Sequence, residues 1–392
     1  MKLGELISIK HGYAFPGGGI TKEPRGQILL TPGNFNIGGG FKAASFKYFD
    51  GDYPREYELS EGDLLLTMTD LSRNVDTLGY PALIPRNIGG RKFLHNQRLG
   101  LARLIDSSLD KHWLYYRLMM PDYRNHVVST STGTTVHHTS PSRILEFSLS
   151  VPRLPEQRAI AATLGALDDK IESNREVISL IPQLIYALVE QAIEENGAIE
   201  VPVSSLGKFV NGGAYTKGAS GSGRMVIRIA ELNSGPGAST VYNEIDVPEE
   251  RTAHPGDILM SWSGSLGVYV WYRPEAIVNQ HIFKVIPGDF SHWFVFDRLT
   301  SVIDIFRAIA ADKATTMGHI QRRHLNSTSV KIPEHGLTEL SATCGPLWDR
   351  RNKLLQESLH LEQLRDTLLP ELMSGRIRVP EAREAIDQEV GL

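Results

Sequence analysis

The chain has 392 residues, 41% of them hydrophobic, with a formal net charge of −4 and a single cysteine. A chain this long exceeds the size at which one core keeps growing, so two or more domains are expected, and the lone Cys344 excludes internal disulfides and cysteine-cluster metal sites. No apolar run approaches the ~20 residues of a membrane span, and charges interrupt any signal-peptide core in "MKLGELISIKHGYAF", so a cytoplasmic protein is expected.

Residues 1–152 read as a mixed, strand-rich lobe. Short runs such as "QILLTP" and "GDLLLTM" are broken by Gly, Pro and Asn turns before the helical "DKHWLYYRLM", the pattern of strands between tight turns. From 153 to 196 the character changes to one long helix. Leu164, Leu167, Ile171, Asn174, Ile178, Ile181, Ile185 and Leu188 alternate steps of three and four, which is a heptad stripe with one polar interruption. Pro155 suits a first helical turn, whereas Pro182 predicts a kink or break near "LIPQ" because an interior proline removes a hydrogen bond and crowds the preceding turn.

Residues 197–333 form a second strand-rich lobe, with "MVIRIAEL", "GDILMSW" and "VYVWYR" followed by the helical "SHWFVFDRLTSVI". A second helix over 334–375 places Leu347, Leu354, Leu361 and Leu368 seven apart, and 376–392 remain as a C-terminal tail. Residues 1–152 hold 17 Lys+Arg against 14 Asp+Glu and 201–333 hold 13 against 11, while 153–200 hold 4 against 9 and 334–392 hold 7 against 11. Mildly basic lobes on acidic helices are compatible with contact to DNA through the lobes, although excesses this small also occur on ordinary surfaces.

The second half answers the first in order. "LISIKHGYAF" (6–15) aligns with "LGKFVNGGAY" (206–215), "GQILLTPGNFN" (26–36) with "GRMVIRIAELN" (223–233), "GDLLL" (62–66) with "GDILM" (256–260) and "NQRL" (96–99) with "NQHI" (279–282). "TTVHHTSPSRILEFSLSVP" (134–152) runs beside "TTMGHIQRRHLNSTSVKIP" (315–333), and "LGALDDKI" (164–171) meets "CGPLWDRR" (344–351). Each pairing is weak alone; their common order makes a tandem repeat of lobe plus helix. The expected fold is α+β: two mixed, strand-rich domains separated by two long helices that bury their stripes on each other as an antiparallel coiled coil through Leu164, Leu167, Ile171, Ile178, Leu188, Leu347, Leu354, Leu361 and Leu368. A helix of roughly 38 residues is about 57 Å long, enough to act as a ruler between two half-sites.

Catalytic signatures are missing. "GASGSGR" (218–224) ends in Arg where a P-loop needs Lys and a hydroxyl, and no Asn/Asp-Pro-Pro-aromatic tetrapeptide of an amino-methyltransferase occurs. "FPGGG" (15–19) reads as a turn. His137, His138 and His319 recur at one place in both lobes, but no further ligands at zinc spacing accompany them. Two readings stay open for these polar loops. Thr134, Thr135, His137, Thr315, Thr316, His319, Gln321 and Arg322 can reach phosphates or base edges, or they can close the lobes with structural hydrogen bonds. Asn96 and Gln97 recur as Asn279 and Gln280, with Arg98 beside the first pair, which suits phosphate positioning or framework. Base readout should fall where the lobes differ, at Arg73 and Asn74 in "DLSRNVDTLG" (70–79), opposite "SWSGSLG" (261–267), and at Lys217 and Arg224 in "GGAYTKGASGSGR" (212–224).

Lobe, helix, lobe, helix, with "VPRLPEQRAIAATLGALDDKIESNREV" closing the first unit and "LRDTLLPELMSGRIRVPEA" the second, resembles the specificity (S) subunit of type I restriction-modification systems. The resemblance implies two target recognition domains, each reading half of a bipartite, asymmetric sequence in double-stranded DNA. It further implies an antiparallel helical spacer that docks two methyltransferase subunits, with restriction subunits joining for cleavage. The chain itself would be non-catalytic and hold no cofactor, since the S-adenosylmethionine and ATP chemistry belongs to the partners. The second unit departs from the pattern, having "PEHGLTEL" (333–340) where the first has "PEQ". Competing readings are a nuclease or methyltransferase acting alone, and a stand-alone DNA-binding or scaffold protein of another defence system.

Overall fold

The computed structural model describes residues 1–72, 74–312 and 318–390. They fall into two compact units, Met1–Asp168 with Leu364–Leu392, and Asp169–Gln363. The sequence suggests boundaries at the ends of the long helices; instead each unit takes one lobe together with parts of both helices.

The first unit opens with strands β1 (Ile7–His11), β2 (Ile20–Thr21), β3 (Gln27–Leu29), β4 (Lys47–Phe49) and β5 (Glu58–Leu59). It continues through β6 (Leu64–Thr67), β7 (Thr69–Asp70), β8 (Pro81–Leu83), β9 (Phe93–Leu94) and β10 (Leu99–Leu104), then helices α1 (Lys111–Arg117) and α2 (Pro121–Ser129), strand β11 (His137–His138) and helix α3 (Pro141–Leu145). One antiparallel sheet has the order β1-β10-β6-β8, a mixed sheet runs β2-β4-β3-β9-β5, and β7 pairs with β11 as a short ribbon. Leu64, Leu65 and Leu66 are all buried, which is why "GDLLL" lacks the alternation of a half-exposed strand. Local signals start the helices: the Asp110 carboxylate accepts from Trp113 N, Pro121 and Pro141 sit in first turns, and Ser140 accepts from Arg143 N.

Helix α4 (Leu154–Asn196) follows, and the second lobe repeats the first. It comprises β12 (Ala198–Pro202), β13 (Gly207–Asn211), β14 (Arg224–Ile227), α5 (Ile229–Ser234), β15 (Val241–Asn243), β16 (Thr252–Ala253), β17 (Ile258–Ser261), β18 (Gly267–Val270), β19 (Ala276–Val278), β20 (Ile282–Pro287), α6 (His292–Asp312), α7 (Arg322–Ser327) and β21 (Ser329–Pro333). The sheet β13-β20-β17-β18 has the order of β1-β10-β6-β8, and β15-β14-β19-β16 that of β4-β3-β9-β5, including the parallel pair, β14 with β19 and β3 with β9. Even the closing contact recurs. β12 pairs with β21, as Leu3 N donates to Phe147 O and Leu149 N to Met1 O in the first unit. The repeat in the sequence is therefore a repeat of strand order.

Helix α8 (Leu337–Ser374) and α9 (Val379–Val390) complete the chain. In the first unit, Ile160, Leu164 and Leu167 of α4 and Leu368 and Leu372 of α8 are buried, and Asp168 pairs with Arg365 and Glu156 with Arg378. In the second unit the antiparallel sense is visible directly. The α4 end at Asn196 lies beside Gly336, while Lys170 and Arg175 pair with Glu357 and Glu362. There Ile171, Ile181, Ile185, Val189 and Ala192 are buried, as are Leu340, Cys344, Trp348, Leu354 and Leu361.

Several expectations change. Ile178, Leu188 and Leu347 are half-buried, because the buried stripe steps from Ile185 to Val189 and from Cys344 to Trp348; a helix of 3.6 residues per turn drifts off a strict seven-residue repeat. Helix α4 runs through Pro182 without a break, with the flanking Ile181 and Ile185 buried at 5% and 1% exposure, so packing outweighs the lost hydrogen bond. The second long helix starts without "PEQ": Gly336, at φ 88°, turns the chain and its carbonyl accepts from Leu340 N. The expected tail forms α9, which buries Ala382 and Ile386. Helix α4 also contains an 18-residue window of mean hydropathy 1.3 with at most two charged residues, so by length and composition it could cross a membrane. In its second half the buried Ile181, Ile185 and Val189 belong to the core of the second unit, while Leu180, Leu184 and Tyr186 are exposed.

Candidate nucleic-acid interface

One end of the antiparallel sheet in each unit gathers the polar loops. In the first unit β1 ends at His11, β6 at Thr67, and β10 begins at Leu99. Gly12 N donates to Leu99 O (3.3 Å), Leu99 N to Asn96 O (2.9 Å), Met68 N to Arg98 O (2.9 Å) and Thr139 N to Met68 O (3.0 Å), and His138 pairs with Thr69. In the second unit Gly212 N donates to Ile282 O (3.0 Å), Ile282 N to Asn279 O (3.1 Å), Trp262 N to His281 O (3.1 Å) and Ile320 N to Trp262 O (3.0 Å), and His319 bridges to Ser263. Donor for donor, this is the same frame. It places Gly12, Asn96, Gln97 and His138 of one unit where the other has Gly212, Asn279, Gln280 and His319.

Within the first unit Gln97 and Arg98 are exposed, and the half-buried Asn96 accepts from Arg98 N through Oδ1 (3.2 Å). Thr134 and Thr135 lie exposed on the tip of a hairpin closed by reciprocal bonds between Thr132 and His138 (2.9 and 2.8 Å); His137 pairs with Asp70, and His138 Nδ1 lies 3.1 Å from Thr69 Oγ1. Asn74 is exposed on the loop after β7, while Arg73 lies outside the described residues. That loop is built on Asp70, a buried carboxylate that accepts from Ser72 N (2.6 Å), Thr77 N, Thr77 Oγ1 (2.8 Å) and Leu78 N (3.0 Å). Burial alone would raise its pKa, but the hydrogen bonds from Ser72 and Thr77 outweigh burial and hold it below the ordinary aspartate value.

Within the second unit Asn279 is buried and Gln280 exposed, with Gln280 Nε2 3.3 Å from His281 Nε2. Trp262 packs near two imidazoles, its ring centroid 5.3 Å from that of His281 and 6.5 Å from that of His319. Gln321 is exposed at the start of α7, and Lys217 is exposed in the loop after β13. Thr315 and Thr316 lie outside the described residues. Two basic side chains are tied into the framework: Arg224 pairs with Glu275 (2.7 Å) and donates to Ile245 O (2.9 Å), at the end of β14 away from this frame, and Arg322 donates to Phe209 O (2.7 Å). Among the described residues no three His, Cys, Asp or Glu side chains come together as a metal site.

Met68, Asp70, Trp262 and His281 escaped the sequence reading. Aligning "GDLLLTMTD" with "GDILMSWSG" to its end would have set Met68 against Trp262 and Asp70 against Gly264.

Residues 1–183 match the family model of the Type I restriction modification DNA specificity domain. The matched segment is a little under half of the chain, and it is that part which is similar to such specificity domains. Over 185 residues the chain is 23% identical to the Type I restriction enzyme EcoBI specificity subunit of Escherichia coli, covering 47% of this chain and 35% of that protein. Over 178 residues it is 26% identical to the MjaVIII specificity subunit of Methanocaldococcus jannaschii, covering 45% of this chain and 40% of that one. The match thus spans less than half the length of each curated relative. The crystal structure of the type I restriction-modification S subunit from M. genitalium aligns over 95% of both chains with a TM-score of 0.53 at 16% identity, a likeness of fold. The specificity-domain match ends inside α4, and "LPEQRAIAATLGALDDKIE" lies within it. Gln157 gives one physical role for that stretch: its buried amide accepts from Asp110 N (2.7 Å) and donates to Ser108 O (2.8 Å) and Pro152 O (2.9 Å), pinning the start of α4 to the lobe.

Proposed function

We propose that the chain is the non-catalytic, cytoplasmic DNA specificity subunit of a type I restriction-modification complex, reading a bipartite, asymmetric target in double-stranded DNA. The observation that carries this reading is the single backbone frame built twice, at Gly12/Asn96/His138 and at Gly212/Asn279/His319, with different side chains around the shared ones. Two copies of one frame suit two half-sites, and different surroundings suit an asymmetric target.

In this reading residues 1–152 and 197–333 are the target recognition domains, 153–196 and 334–375 the spacer helices, and the spacer docks two methyltransferase subunits and the restriction subunits. The shared Asn96, Gln97, Asn279, Gln280 and His319, with Thr134, Thr135, Thr315, Thr316, His137 and Gln321, position the phosphate backbone. Arg73, Asn74, Arg98 and Lys217 reach base edges. Arg224 and Arg322, each already held by a backbone carbonyl, serve the framework of the second lobe.

Mapping methylated bases in cells carrying the chain with its cognate methyltransferase tests the reading. One split motif that vanishes when the chain is deleted is the expected result; methylation unchanged by the deletion would overturn it. Removing one matched heptad from both helices should shorten the gap in the motif and leave both halves intact.

A further inference from the structure

The frame shared by the two units makes an equivalence at every position around it, and three positions carry different chemistry. Where the first unit has Met68, Asp70 and Arg98, the second has Trp262, Gly264 and His281, each pair fixed by the same backbone partners. Gly264 N donates to Gly318 O beside the His319 bridge, at the place where Asp70 pairs with His137.

The consequences for surface shape differ. Asp70 organises a long loop through Ser72, Thr77 and Leu78, and Leu71 stands on it 63% exposed. Gly264 lacks a carboxylate, and the second unit closes a short turn with Ser261 Oγ, which donates to Ser265 O (2.7 Å) and accepts from Gly267 N (2.8 Å). Beside that turn the Trp262 indole packs near the imidazoles of His281 and His319. Trp262 Nε1, His281 Nδ1 and Asn279 Oδ1 are buried and have no hydrogen-bond partner among the described residues, and such groups in native structures call for an explanation. Arg98 presents a planar, permanently charged fork of donors, whereas His281 presents a ring that donates or accepts singly.

We infer that these three register-matched positions are the specificity determinants of the two half-sites: Met68, Asp70 and Arg98 for one, Trp262, Gly264 and His281 for the other. The inference rests on the proposed reading of DNA by both units and adds which side chains make the halves different. Arg98 reads a base edge that accepts two hydrogen bonds, which in the major groove is guanine. Asp70 is a positioning residue, acting through the loop it builds. Trp262 and His281, ring against ring, give the second unit a different surface at the same place, suited to a base edge that the first unit does not accept.

The test uses the full chain with its cognate methyltransferase. The unmodified chain is mapped first: absence of any split motif would overturn the proposed function itself, before this inference is reached. Arg98→His should then weaken the requirement for one guanine, about ten- to hundredfold in discrimination, in one half-site only. His281→Arg should alter the other half-site only. An unchanged motif at undiminished methylation, or a change in both halves from either variant, would overturn the inference. Should Arg98→His abolish methylation, Arg98→Lys decides, since it keeps the charge and loses the fork. Retained methylation with that guanine relaxed supports the assignment; retained methylation with the motif intact, or none at all, overturns it. Asp70→Asn should relax the same half-site as Arg98→His and leave the other untouched, an outcome that a general loss of stability would not give.

Discussion

Asn96 and Asn279 hold the same place in two copies of one turn, each carbonyl accepting from the amide three residues on, Leu99 or Ile282, and each pressed against a glycine of the neighbouring segment. A Cβ on Gly12 would stand 2.1 Å from Asn96 O, and one on Gly212 2.2 Å from Asn279 O. No side chain fits there, and the obstacle is backbone, which cannot rotate away.

Gly12→Ala and Gly212→Ala should therefore each destabilise their own unit by about 1–3 kcal/mol, the range for overpacking a tight site. Denaturant unfolding of the full chain checks this. A change below ~0.5 kcal/mol, the size of an ordinary surface substitution, would show that the turn relaxes freely.

Gln157 fills its three hydrogen bonds in a fully buried position. Replacing it with leucine strands Asp110 N, Ser108 O and Pro152 O, and unsatisfied buried groups cost about 1–3 kcal/mol each when water cannot reach them. Gln157→Leu should lower the stability of the first unit by about 2–4 kcal/mol, with early loss of amide-exchange protection at the start of α4.

The helix seam of the second unit offers an internal control. Leu361 is fully buried, while Leu347 is half-buried beside Trp348. Leu361→Ala should cost about 2–5 kcal/mol and Leu347→Ala clearly less. Equal losses would mean that the strict seven-residue repeat, rather than the drifting stripe through Trp348, describes the packing.

His95 is buried, its Nε2 2.9 Å from Leu99 O, and burial pushes its pKa down from 6.5 to about 4. The folded unit favours the neutral ring, so its stabilising contribution is present above pH 6.5 and is lost as pH falls towards 4. Denaturation midpoints of the unmodified chain should fall over that window more steeply than those of a His95→Gln variant. Parallel profiles would show that His95 is not the group involved.

Arg365 and Asp168 form a 2.8 Å ion pair in the first unit, and Asp168 also accepts from Tyr116 OH at 2.6 Å. The charged side chains are 27% and 29% exposed, so screening limits the pair. A double-mutant cycle with Asp168→Asn and Arg365→Gln should give a coupling of about 1 kcal/mol, smaller at high salt.

The sequence by itself determined the α+β class, the ordered duplication and the two heptad helices, because these are written in local periodicity and in self-similarity that survives divergence. Leu164, Leu167, Ile171, Leu354, Leu361 and Leu368 follow from spacing alone. The tertiary structure decided what spacing cannot carry. It shifted the buried stripe to Val189 and Trp348, kept α4 continuous through Pro182, and turned the C-terminal segment into α9 around Ala382 and Ile386, since burial on a neighbour outweighs propensity. It also separated exposed Gln97, Arg98 and Lys217 from Arg224 and Arg322, whose guanidiniums are bound to carbonyls far away in sequence. The repeat could oppose Met68, Asp70 and Arg98 to Trp262, Gly264 and His281, but bringing those three positions together at one sheet end needed the register of β6 with β10 and of β17 with β20, because hydrogen bonds between strands distant in the chain leave no trace in either strand alone.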